Sequence, residues 1–141
     1  MLAPLVESQV NELFGALRRY SFSWLNLIGQ DGWTLYTPTR TGWTDVGSPT
    51  VTARYRHVGK KCEFQISVVP GTTCATVAGT SYVTLPMTAS GIAGSATMAD
   101  TTALTAVGTC VIDIANSRCY VPAQVATGDT LTIAGWFEVS Q

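Results

Sequence analysis

The chain has 141 residues, of which 46% are hydrophobic and 12% charged, with a formal net charge of −1. That length suits one domain with a modest core, and the near-zero charge excludes a protein that grips nucleic acid through a basic surface. No apolar run reaches transmembrane length, and "MLAPLVESQVNELF" lacks a basic n-region and carries Glu7 and Glu12 where the core of an export signal would fall, so neither membrane insertion nor secretion is expected.

Residues 1–22 read as an N-terminal helix. Pro4 suits a first turn, Glu7 sits near the positive end of the dipole, and Arg18 and Arg19 sit near the negative end. Apolar residues recur at Ala3, Val6, Val10, Leu13, Leu17, Tyr20 and Trp24 in alternating steps of three and four, the spacing of a coiled-coil seam. A single amphipathic helix lying on its own domain gives a similar pattern; the narrowness of the seam favours the coiled coil. Phe14 and Gly15 weaken it, and a helix this short is marginal without partners.

The texture then changes. Residues 23–48 read as a connecting segment and residues 49–141 as a β-domain. Short alternating runs lie between turn residues: "VTARYRHV" and "KKCEFQISVV" around Gly59, "SYVTLP" after Gly79, "TCVIDIA" and "RCYVPA" around Asn116-Ser117, and "DTLTIAGWFEV" after Gly128. Many short strands at this spacing predict a mainly β fold, an antiparallel jelly-roll-like sandwich. Between Phe64 and Ile112 the only charged residue is Asp100; this stretch is Thr, Ala, Ser, Gly and Val.

His57, the only histidine, stands among Arg54, Arg56, Lys60 and Lys61 and near Cys62, which raises the question of a catalytic cluster. A hairpin accounts for it. A two-residue loop at Val58-Gly59 sets Tyr55 against Cys62, Arg54 against Glu63 and Ala53 against Phe64. Val51, Ala53, Tyr55, Cys62, Phe64, Ile66 and Val68 then share the core face, and Arg54 pairs with Glu63 on the wet one.

The four cysteines, Cys62, Cys74, Cys110 and Cys119, have no zinc-ligand spacing. A hairpin centred on Asn116-Ser117 sets Ile114 against Cys119 and Cys110 against Ala123, out of register for a disulfide, so four buried free thiols are expected. No GxSxG elbow is present, "GIAG" at 91–94 lacks the lysine of a phosphate loop, and the carboxylates Asp31, Asp45, Asp100, Asp113, Asp129 and Glu138 are scattered. No enzyme, metal or cofactor is expected.

Four segments in order, "WTLYTPTRTG", "TARYRHVGKKCEF", "TLPMTASG" and "GDTLTIAGWFEV", resemble a β-domain of tailed-phage virion appendages. The residues carrying the likeness are Trp33, Tyr36, Thr37, Pro38, Tyr55, Arg56, Gly59, Lys60, Leu85, Pro86, Gly128, Asp129, Leu131 and Gly135, across roughly residues 32–139. The segment from Cys110 to Cys119 matches nothing in the pattern. The resemblance implies a non-enzymatic homotrimer on a virion, assembled in the host cytoplasm, with the helix meeting its own copies or other virion proteins. Its task would be that of a tail fibre or spike attaching to a host-surface glycan, or alternatively a head decoration that stabilises the capsid and has no receptor. Trp33, Tyr36, Trp43 and Tyr82 are the residues whose apolar faces suit a sugar; core and subunit interface are the competing roles for each.

Overall fold

A computed structural model describes residues 32–140. The seam residues Ala3, Val6, Val10, Leu13, Leu17, Tyr20 and Trp24, and with them the helix at 1–22, lie outside the described residues.

The described chain is mainly β, with no helix among its residues. In order the strands are β1 (Thr34–Tyr36), β2 (Arg40–Thr41), β3 (Thr44–Val46), β4 (Thr50–Val58), β5 (Lys61–Val69), β6 (Thr73–Thr76), β7 (Tyr82–Thr84), β8 (Ser95–Asp100), β9 (Thr105–Asp113), β10 (Arg118–Tyr120), β11 (Gln124–Thr127) and β12 (Leu131–Glu138). Nine strands form one sheet in the order β1-β4-β5-β12-β8-β9-β10-β7-β2, and β11-β6-β3 form a second. Every pairing is antiparallel, and the sheets curl into a half-barrel. The stretch read as a connecting segment, 23–48, therefore contributes β1, β2 and β3 to these sheets. Their brevity hides them: runs of two or three residues carry too little alternation to stand out.

Alternation along the long strands builds the core. Cys62, Phe64, Ile66 and Val68 of β5 are buried, as are Leu131, Ile133 and Phe137 of β12. The register sets Ile133 against Ile66 and Phe137 against Cys62, and the Phe64 and Phe137 rings lie 5.9 Å apart. Each fully buried large side chain contributes about 1.5–3 kcal/mol. Gly135 takes the place of a side chain between Phe64 and Ala96, because a Cβ there would lie 2.4 Å from the Ala96 Cβ.

The β4–β5 hairpin keeps the expected faces but not the expected partners. Its loop is Gly59-Lys60: Val58 pairs with Lys61, His57 with Cys62, Arg56 with Glu63 and Arg54 with Gln65. Gly59 has φ +59°, the geometry of a turn with glycine at its first central position, which valine would resist. The register thus moves by two residues, which preserves parity. The expected Arg54–Glu63 ion pair is replaced by Arg56–Glu63, with Lys61 Nζ 3.1 Å from the same carboxylate, while Arg54 donates to Gln65 Oε1 at 2.7 and 2.9 Å.

The β9–β10 hairpin shifts similarly. Asp113 pairs with Arg118 and Ile112 with Cys119, leaving 114–117 as the loop, with Ser117 at φ +51°. The Asp113 carboxylate accepts from the Asn116 backbone N–H and from Asn116 Nδ2, and so stops the ladder two residues earlier than the sequence suggests. Cys110 and Cys119 consequently lie diagonally on one buried face, closer than expected, and all four cysteines are buried free thiols.

Candidate functional site

The solvent face of β2, β7, β10 and β9 carries an aromatic and cationic arrangement that borders a groove. Thr41 pairs with Tyr82, Tyr82 with Tyr120 and Tyr120 with Val111, which makes one row across four strands. The next row on the same face is Thr84, Arg118 and Asp113. The opposite face of these strands holds buried Val83, Cys119 and Ile112, so strict alternation drives the tyrosines outward.

The Tyr82 and Tyr120 rings lie 5.3 Å apart, tilted by 57°. The Arg118 guanidinium sits 4.4 Å from the Tyr82 ring centre, a cation–π contact, and makes no hydrogen bond to another described residue. Its N–H edges are therefore available to a ligand. Across the ladder, Asn116 Nδ2 donates to Asp113 Oδ2 at 2.8 Å and holds the carboxyl below its ordinary range. Arg118 and Asp113 thus offer a donor and an acceptor from paired positions of the ladder, the guanidinium turned toward Tyr82, with no net charge between them.

Beyond Tyr120 the face opens into a groove of about 410 Å³. Tyr120, Val111, Val121 and Pro122 line it, with Thr109 and the Ala78-Gly79 loop. Val111 is 64% exposed and stands directly across the ladder from Tyr120. Ser81, fully buried, fixes the loop: its Oγ donates to Gly42 O at 2.6 Å and accepts from Val77 N at 2.8 Å. Val121 N donates to Ser81 O at 3.0 Å, and Thr76 Oγ1 to Pro122 O at 2.7 Å.

A second layer supports the platform from β2 and β3. Trp43 Nε1 donates to Tyr82 O at 3.2 Å, and the Arg40 guanidinium lies 5.2 Å from the Trp43 ring centre. Arg40 grips Asp45 with two bonds of 3.0 and 2.9 Å, and the Cys74 thiol donates to the same carboxylate at 2.9 Å. Arg40 holds the Asp45 carboxyl below its ordinary range, while burial pushes the Cys74 thiol up to about 12. Burial likewise raises Cys62 to about 11, and the Cys110 side chain, with burial, raises Cys119. Cys62, Cys74 and Cys119 therefore stay protonated at neutral pH, which makes them packing groups and poor nucleophiles, while the Cys119 side chain holds the Cys110 thiol below its ordinary value.

Of the aromatic residues selected from sequence, Trp43 and Tyr82 come together here. Tyr36 does not join them. Its ring packs edge-on against Tyr55 at 5.7 Å, its hydroxyl is buried without a hydrogen-bond partner among the described residues, and burial raises its phenol. Trp33 precedes β1 and is half-buried. Sequence reasoning missed Tyr120, Arg118 and Val111. Their outward parity was legible in "TCVIDIANSRCYV"; that β7 pairs on the far side of β10 and brings Tyr82 alongside was not. His57 is exposed at the hairpin end, and no cluster of three or more metal-ligating side chains occurs among the described residues. Comparison with protein-family models, with curated proteins and with solved structures finds no match to the chain.

Proposed function

We propose that the chain is a non-enzymatic attachment module of a tailed-phage virion appendage, and that its ligand is a host-surface glycan. The observation that carries this reading is the Tyr82–Tyr120 pair on the solvent face, flanked by Arg118 and Asp113 and continuous with the groove. Sugars present apolar C–H faces and a rim of hydroxyls. Two adjacent aromatic rings serve the first, and a fixed donor and acceptor serve the second. In this reading the β-domain packs as a jelly-roll-like sandwich, residues 1–22 form a coiled coil that trimerises the chain or docks it on other virion proteins, and the protein resides on the virion. The four-segment resemblance supports the virion setting; the tyrosine platform supports attachment over capsid decoration.

The test is a glycan array probed with the full chain, beside the Tyr82→Ala and Tyr120→Ala variants. Selective binding that both variants lose is the expected result, and a blank array refutes attachment. Light scattering is expected to return three times 15.0 kDa; a monomer removes the trimer from the proposal. Gold labelling on particles separates a tail position from a head position.

A further inference from the structure

We infer that the site takes a neutral saccharide bearing a methyl group, an acetamido or a 6-deoxy sugar, with the methyl seated in the groove beside Val111. The inference rests on the attachment reading above and specifies its ligand.

The geometry is linear. Along β9 and β10 two paired rungs share the solvent face, Asp113 with Arg118 and Val111 with Tyr120, and Thr109 at the groove stands two residues further along β9. Positions two residues apart along a strand are about 6.7 Å apart, so the three levels span about 13 Å, the length of a short oligosaccharide. The chemistry changes from one end to the other. The first rung offers a guanidinium donor and a carboxylate acceptor, suited to vicinal hydroxyls. The middle rung offers the tyrosine faces. The last opens into the groove, whose side chains are aliphatic apart from Tyr120 and the Thr109 hydroxyl.

Charge decides against an acidic sugar. Arg118 and Asp113 cancel, and no charged side chain lines the groove. A carboxylate seated in the groove would lose water and find no cation among the lining residues. A hexose bearing only hydroxyls meets the converse problem, since its polar rim would be desolvated against Val111, Val121 and Pro122. A methyl group removes that penalty and buries apolar surface, a gain of roughly four- to tenfold in affinity.

The experiment titrates the full chain by calorimetry with four probes: di-N-acetylchitobiose, a rhamnose disaccharide, maltose and digalacturonate. One of the first two is expected to bind at least fourfold tighter than maltose, and which one does so identifies the source of the methyl. Val111→Thr, nearly isosteric at an exposed position, and Val111→Gln, which fills the groove with an amide, are expected to erase that advantage by weakening the methyl-bearing probe, while leaving the melting temperature unchanged. Maltose or digalacturonate binding as tightly as the methyl-bearing probes, with loss in Tyr82→Ala, overturns the inference and leaves attachment standing. A preference for a methyl-bearing sugar that survives both Val111 variants also overturns it. Silence from all four probes overturns it as well, and the array then judges attachment separately.

Discussion

Replacing Ser81 with alanine removes one oxygen and strands two backbone groups. Ser81 Oγ is fully buried, donates to Gly42 O at 2.6 Å and accepts from Val77 N at 2.8 Å. A hydrogen-bonding group left unpaired on burial costs about 1–3 kcal/mol. Both groups lie in partly buried surroundings, so the lower half of that range applies to each and the expected loss is about 2–4 kcal/mol. For a domain of this size each kcal/mol lowers the melting temperature by about 3–4 °C, which predicts a fall of at least about 6 °C. The loop retains Thr80 N to Val77 O and Ser81 N to Val77 O, so it loosens without detaching. Its release widens the groove at Ala78-Gly79, and sugar binding weakens together with stability. Urea unfolding measures the first quantity, with an unchanged slope marking a true stability change; calorimetric titration measures the second. Thr80→Ala is the control, an exposed neighbour expected to stay within about 0.5 kcal/mol. A Ser81→Ala variant within that same margin refutes the idea that this hydroxyl holds the loop.

Gly135→Ala forces a Cβ to 2.4 Å from both Ala96 Cβ and Ser95 O in the middle of the sheet, so β8 and β12 must part; a loss of about 3 kcal/mol is expected in thermal unfolding, and a melting temperature equal to wild type contradicts the close approach. Hydrogen bonding from Arg56, then Lys61, holds the Glu63 carboxyl below its ordinary value of 4.5 in the folded protein, so its contribution is full above about pH 4.5 and is lost as pH falls through the lowered value. At a half-exposed site this amounts to a few tenths of a kcal/mol, and Glu63→Gln is expected to flatten the stability curve by that amount between pH 5 and pH 3 relative to wild type, measured by urea midpoints. Because Cys62, Cys74, Cys110 and Cys119 are buried, iodoacetamide is expected to label none of them in the native protein and all four after denaturation without reductant, read by intact mass; a missing label pair in the denatured sample would reveal a disulfide.

Side-chain alternation made much of this molecule legible in advance. The parity of β5 and β12 follows from the sequence because a one-residue slip would expose Phe64, Ile66, Leu131 and Ile133 together, at several kcal/mol. The antiparallel, mainly β class follows from the same periodicity, as does the outward direction of Tyr120 and Arg118. Exact partners did not follow. A shift of two residues keeps every side chain on its face, so hydrophobic pattern alone is blind to it; the turn decides, through the positive φ of Gly59 in one hairpin and the Asp113–Asn116 bonds in the other. Short β1, β2 and β3 escape notice because they gain their order from neighbours far along the chain, such as Trp43 on Tyr82 and Arg40 with Asp45 under Cys74. The platform itself belongs wholly to tertiary structure: Tyr82 and Tyr120 are far apart in sequence, and only the β7–β10 pairing sets their rings side by side.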